Sequence, residues 1–322
     1  MNSTPTAVIG LNPRGAALAA ALAKAGNPVT VWDHAEKPLI DEKLPRASSL
    51  ESMLAAASLV ILCVEDYEVA RRILDQAGPQ LGTHDLVNLT SGTSADAQQA
   101  ADWMAARGGR YLDGALMAHP EHVGNPDTVL VYSGSAEVFE RGETVLRQLG
   151  SATYLGADAG IAALYDLAML NFAWATLTGF LQTTALLGTA GVEAGTITPL
   201  LTHWLTTTVA EVIRDYAGQI DGRDYPGDEE WLELDAPLMA HLVRATAESG
   251  LDTRLPELVR SLTADGIDAG HGRDSFASLI EIIRHRQNLA GHPPLIDGSM
   301  RKKPRMPPSQ NLAGHLPPSQ HN

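Results

Sequence analysis

Short apolar runs, too brief for helices, alternate along the first half of the chain with longer stretches in which apolar residues recur every three to four positions. Residues 7–9 end at Gly10, an alanine-rich helical stretch runs to Lys24, Gly26 stops it, and residues 28–32 resume an extended run. Strand, helix, strand is the reading. Further strands are predicted at 58–64 (SLVILCV), 85–89 (DLVNL), 111–115 (YLDGA) and 128–133 (TVLVYS), with helical periodicity between several of them, as at 67–76. This alternation predicts a mainly parallel, doubly wound α/β sheet of Rossmann type over residues 1–155.

After Gly156 the strand signals vanish, and nearly everything up to His285 reads as helix. A long helix is predicted over 156–188, followed by an all-α domain over 189–286. No charged residue occurs from 167 to 192, a length that could span a bilayer. Its threonines, glycines, Asn171 and Gln182, with no second such segment and no flanking basic cluster, favour burial in a protein interface instead. A helix with almost no polar face needs a large apolar partner, and a second copy of the chain is the natural one. Residues 287–322 are rich in Pro and His and repeat QNLAGH at 287 and 310, which reads as a disordered or appended tail outside the fold.

At 322 residues, with 44% hydrophobic residues, the chain is long enough for two domains. A formal charge of −15 argues against a surface that gathers nucleic-acid phosphates. A single cysteine, Cys63, rules out an intramolecular disulfide and any multi-cysteine metal site, so no metal is expected. The N-terminal residues have neither the basic patch nor the apolar run of a signal peptide, and a cytoplasmic protein is expected.

Candidate chemistry begins at "GLNPRG", Gly10, Leu11, Asn12, Pro13, Arg14 and Gly15, which has the outline of a dinucleotide turn with Asn12 in place of the middle glycine. Gly10 and Gly15 keep the sharp bend and the close helix packing. The Asn12 amide either obstructs the pyrophosphate or donates to it, and Arg14 adds a positive charge at the helix start. Asp33 closes the second strand about twenty residues on, where a carboxylate can accept from the ribose hydroxyls of NAD. The same carboxylate would repel the 2′-phosphate of NADP unless His34, Lys37 or Arg14 compensated, and it could equally cap a turn. Downstream, Asp166 is the last charged residue before the uncharged run. A buried carboxylate there must be paired, protonated or functional. Trp174 follows eight residues later, about 12 Å along a helix axis, so both could border one cleft.

The stretches "VNLTSGTSADAQQAADWMAARGGRYLDGALMAHP", "GADAGIAALYDLAML" and "AGHGRDSFASLIEIIR" resemble the imine reductase and reductive aminase family, relatives of the β-hydroxyacid dehydrogenases, over about residues 7–285. The resemblance implies a Rossmann domain, a long interdomain helix, a helical domain exchanged in a homodimer, and hydride transfer from NADPH to a cyclic, hydrophobic imine or iminium, with secondary metabolism as the setting. It places Asp166 beside the substrate nitrogen, where the β-hydroxyacid dehydrogenases carry lysine. It further places Ser91 at the nicotinamide, Val64 at the adenosine, and Trp174, Trp204, Leu234 and Asp235 around the substrate. Where the family reads G-L-G-x-M-G and W-N-R-T, this chain reads GLNPRG and WDHA, with His34 and Ala35 in place of the Arg and Thr that grip the 2′-phosphate. NADH therefore stands as an alternative cofactor, a β-hydroxyacid dehydrogenase as an alternative enzyme, and a non-catalytic dinucleotide-binding scaffold as an alternative from another class.

Overall fold

The computed structural model describes residues 4–35 and 44–285. Lys37 and the 287–322 tail lie outside these described residues. The chain divides into two compact units within one long helix, after Phe180.

The first unit is built on a seven-stranded sheet: β1 (Thr6–Ile9), β2 (Val29–Trp32), β3 (Leu59–Leu62), β4 (Asp85–Asn88), β5 (Arg110–Leu116), β6 (Val129–Gly134) and β7 (Ser151–Tyr154), in the order β2-β1-β3-β4-β5-β6-β7. Strand β1 pairs with both β2 and β3, so consecutive connections leave it in opposite directions. Ligands of open α/β sheets bind at such a reversal. An isolated parallel bridge from Val31 to Arg46 extends the sheet beyond β2, a vestige of one further strand.

Alternation along β1 sends consecutive side chains to opposite faces. Val8 packs with Leu18 and Leu22 of α1 (Pro13–Lys24) and Val138 of α5 (Ala136–Leu146). Ile9 packs on the other face with Met53 of α2 (Leu50–Ala56), Ile73 of α3 (Tyr67–Ala77) and Met104 of α4 (Ser94–Ala105). Between β5 and β6 the chain forms only a short 3₁₀ turn at Pro120–His122, and without a crossover helix the pair runs antiparallel. The sheet is thus mixed, and its last strand, β7, is one that apolar runs did not reveal. Its sequence SATY is short and carries no continuous apolar stretch.

Helix α6 (Gly160–Gly188) is docked by its first turn. Asp158 Oδ1 accepts from the Gly160 amide at 2.9 Å, while Ser133 Oγ on β6 accepts from the Ala162 amide at 2.8 Å and donates to the Ala159 carbonyl at 3.0 Å. Ala162 then packs on Ala115 and Val131. Asp166 lies one turn later on the same face. Among the described residues α6 is the one helix long and apolar enough to cross a bilayer. Its buried residues are confined to Gly160, Ala162, Ala163 and Asp166.

The second unit contains the rest of α6 together with α7 (Ala194–Trp204), α8 (Ala210–Gly222), α9 (Leu232–Glu248), α10 (Arg254–Gly266) and α11 (Leu279–His285). A π-type turn at Leu205–Val209 joins α7 to α8. Gly266 brings α9 and α11 onto α10, because a Cβ there would collide with Leu232 and Leu279. This unit buries little large apolar surface, and Leu200, Trp204, Leu234, Leu238 and Leu258 are all exposed.

A Cβ on Gly15 would collide with the carbonyl oxygen of Gly10. Gly15→Ala is expected to cost about 1–3 kcal/mol through overpacking, read as a lower urea midpoint; an unchanged midpoint would show that α1 can move off the turn.

Candidate active site

At the end of β1 the backbone turns at Gly10 with φ +102°, and a Cβ there would run into the Cys63 carbonyl oxygen. Only glycine fits both conditions. Asn12 resolves neither of the two ways expected for it. It is the N-cap of α1: its Oδ1 accepts from the Gly15 amide at 2.9 Å and its Nδ2 donates to the Cys63 carbonyl at 3.1 Å. Its backbone is extended, with φ −63° and ψ 167°. The side chain therefore knots the turn to β3, with the oxygen held by the capping bond and one of the two amide N–H groups held by Cys63. Pro13 occupies the first helical position, where a missing N–H costs nothing.

Asp33 is fully buried at its side chain. Its Oδ2 accepts from the Leu11 amide at 2.6 Å and its Oδ1 from the Ala35 amide at 2.8 Å, with His34 Nδ1 3.3 Å away. The carboxylate thus closes the turn at residues 33–35 and ties it to the glycine turn. Arg46, which sequence reasoning passed over, reaches the same place from the vestigial strand, its Nη2 donating to the Ala35 carbonyl at 3.3 Å.

Arg14 and Ser91, 77 residues apart, meet across the reversal point, with Arg14 Nη1 donating to Ser91 Oγ at 3.2 Å. Val64, two residues past the end of β3, is buried, its amide donating to Thr90 Oγ1 at 3.1 Å. The turn, Asp33, His34, Val64 and Ser91 all lie in the first unit, at the carboxyl ends of β1 to β4.

Asp166 is 4% exposed, and among the described residues its carboxyl makes no hydrogen bond or ion pair. No basic side chain among the described residues pairs with it. Its charged neighbour is another acid, Asp113 on β5, itself 1% exposed. Asp113 Oδ1 accepts from the hydroxyls of Tyr67 and Tyr111, each at 2.7 Å, and from Asn88 Nδ2 at 3.2 Å. This carboxyl is raised to about 7, chiefly by burial against the pull of the three donors, with the charge of Asp166 adding to the rise. Burial and the same carboxylate drive both tyrosine hydroxyls well above their ordinary range. Asp113 escaped the sequence reading, although a polar DG inside an otherwise apolar strand, with Asn88 polar at the paired position of β4, is the signal that marks it.

The substrate-side residues divide between the units. Trp174 on α6 is 64% exposed, whereas Asp166 on the same helix is buried. Trp204 and Leu234 are exposed in the second unit. Asp235, on α9, has its carboxyl raised by partial burial and by the neighbouring Glu230, whose Oε1 accepts from Tyr216 at 2.9 Å. No group of three or more potential metal ligands occurs among the described residues.

A Rossmann unit with a glycine-bent phosphate turn, followed by a long helix and an all-helical unit, defines the two-domain dinucleotide-dependent oxidoreductases. Residues 5–156 match the NAD-binding domain of 6-phosphogluconate dehydrogenase, and residues 158–285 match the NADPH-dependent reductive aminase-like C-terminal domain. An NADPH-dependent reductive aminase of Aspergillus oryzae is 33% identical over 289 residues, covering 88% of this chain and 98% of that protein. A reductive aminase from Aspergillus terreus, solved with NADPH and ethyl levulinate, superimposes with a TM-score of 0.82 at 33% identity over 88% of this chain and all of the other. A variant imine reductase from Myxococcus stipitatus, solved with NAD⁺, gives 0.81 at 30% identity over 88% of this chain and all of the other. The chain belongs to the imine reductase and reductive aminase family.

Because Asn12 is a cap, restoring the fingerprint glycine is expected to cost stability without improving the cradle. Asn12→Gly should lower unfolding free energy by about 0.5–1.5 kcal/mol, the sum of a weakened cap and one lost hydrogen bond. NADPH affinity, followed by nicotinamide fluorescence, should change less than about threefold, a difference under about 1 kcal/mol. A tenfold gain in affinity would show that the amide obstructs the phosphate.

Proposed function

We propose that this protein is a homodimeric, NAD(P)H-dependent reductase of small hydrophobic imines or iminium ions. The observation that carries the reading is the pair of buried acids at the base of α6. Two carboxyls brought together in a low-dielectric setting repel each other, and a cation between or beside them relieves the repulsion. An iminium carbon bears that charge on its nitrogen. An alcohol or ketone does not, and there a lysine serves better.

The turn fits the cofactor. Gly10 makes the sharp bend, Gly15 packs the α1 N-terminus close against it, and Arg14 adds positive charge next to Ser91. When bound, the reduced nicotinamide supplies a hydride to the C=N carbon. Asp166 holds the substrate nitrogen, stabilising it as a cation or supplying its proton. Ser91 and Val64 flank the cofactor, and Trp174, Trp204, Leu234 and Asp235 supply the substrate walls. The exposure of Trp174 and of the apolar surface along α6 and in the second unit is consistent with walls completed by a second copy.

Asp33 does not decide between NADH and NADPH, because both its oxygens already accept protein donors. The choice falls to His34, Lys37 and Arg46, and the guanidinium at the Ala35 carbonyl supplies the charge that the family's lost Arg would carry. NADPH is therefore the cofactor we assign. Arg46→Ala should weaken NADPH about tenfold and leave NADH within about twofold, as loss of one Arg–phosphate contact predicts. Equal loss for both cofactors would contradict this assignment.

For the acid, Asp166→Asn should lower kcat for a model cyclic imine by at least about a hundredfold while the thermal midpoint and NADPH affinity hold. Unaltered turnover would remove Asp166 from the reaction.

A further inference from the structure

Four side chains from three elements meet at the carboxyl ends of β3 to β5. Asn88, the last residue of β4, donates to the hydroxyl of Tyr67 at 2.7 Å and of Tyr111 at 3.0 Å, and both hydroxyls donate in turn to Asp113. The other end of the Asn88 amide, Oδ1, accepts from the Thr90 amide at 3.2 Å, and Thr90 Oγ1 accepts from Val64. Tyr67 is the first residue of α3, placed there by the Asp66 cap, whose Oδ1 accepts from the Val69 amide at 2.8 Å. Its ring lies so close beneath Gly92 that a Cβ on that glycine would run into it. A buried carboxylate thereby holds, through one phenol and one amide, both sides of the turn that carries Ser91.

We propose that Asp113 is a positioning residue for the nicotinamide end of the cofactor site: its ionised carboxylate pins Tyr67 and Asn88, and these fix the Thr90–Gly92 turn. The inference rests on the reading that places Ser91 at the nicotinamide. Ionised, Asp113 accepts from all three donors. All three reach Oδ1, so a proton taken up on Oδ2 leaves that oxygen a neutral, weaker acceptor, and the hold on Tyr67 under Gly92 loosens. The groups facing Asp113 are Tyr67 at the start of α3, Tyr111 on its own strand, Asn88 on β4 and Asp166 on α6. Ser133, its partner on β6, is committed to the α6 backbone. Neither phenol ionises in the neutral range, since burial and Asp113 hold both protons in place. A cavity of about 200 Å³ between α3 and α4, lined in part by Tyr67, Asn88 and Tyr111, gives the network a route to solvent protons.

Burial raises this carboxyl to about 7, so the change falls in the range where the enzyme can be assayed. Its sign follows: the turn is ordered above that pH and loosens below it. The experiment is a nicotinamide-fluorescence titration of the full-length protein with NADPH at about pH 6 and about pH 8, using the wild type, Asp113→Asn, Tyr67→Phe and Ser91→Ala. Wild-type affinity should fall from about pH 8 to about pH 6 by at least about threefold more than that of Asp113→Asn, since any titration the two proteins share cancels in the comparison. Tyr67→Phe, which removes the phenol link without touching the acid, should flatten the dependence in the same way. A folded Asp113→Asn protein with the wild-type pH dependence would overturn the proposal. Should that variant fail to fold, wild-type behaviour in Tyr67→Phe would overturn it instead. Ser91→Ala separates the two readings: unaltered affinity there with a flattened Asp113→Asn dependence rejects the Ser91 hydroxyl contact and leaves the positioning role standing.

Discussion

The cost of burying negative charge without a matching cation governs the chemistry of this protein. Asp113 and Asp166 are held in a nearly dry junction between β5 and the first turns of α6, and the donors supplied there are phenols and an amide. Neutral donors stabilise a carboxylate only in part. The junction holds more negative charge than these donors offset, and Asp166, which makes no hydrogen bond among the described residues, is the acid we propose meets the substrate cation. The rest of the first unit serves this arrangement. Ser133 fixes the start of α6, Ala162 seats it on the sheet, and the helical repeat then places Asp166.

The cofactor end is built by a different device, in which polar side chains stitch the carboxyl ends of neighbouring strands to one another. Asn12 ties the glycine turn to β3, Asp33 ties it to the end of β2, Thr90 ties β4 to β3, and Asn88 carries the stitching on to Asp113. Preorganisation of this kind removes ordering cost from binding. It also explains how the chain departs from the family's usual glycine turn without losing the cradle, since the substituted residue is consumed by the protein.

The architecture was legible wherever a long-range pattern repeats. The β1–α1–β2 unit, the helical second half and the uncharged run of α6 follow from apolar periodicity, and Asp166 stands out because a charge beside such a run demands an explanation. Strand β7 was not legible, because four residues at the end of a mixed sheet carry no pattern of their own. The protein contacts of Asn12 were only half legible: a capping bond to Gly15 is local and readable, but the bond to Cys63 depends on where β3 lies. Asp113 and Arg46 acquire their meaning only from tertiary neighbours. The first needed the register of β4 against β5, and the second needed the bridge to β2.

The central claim is that the two buried acids make the site selective for a cation. It is tested most directly by comparing, in the protein saturated with NADP⁺, the affinities of a cyclic ammonium ion and of a neutral hydrocarbon or ether of the same shape. The account predicts a preference of at least about tenfold, or about 1.4 kcal/mol, for the ammonium, and its loss in Asp166→Asn. Equal affinities in the wild type would contradict it.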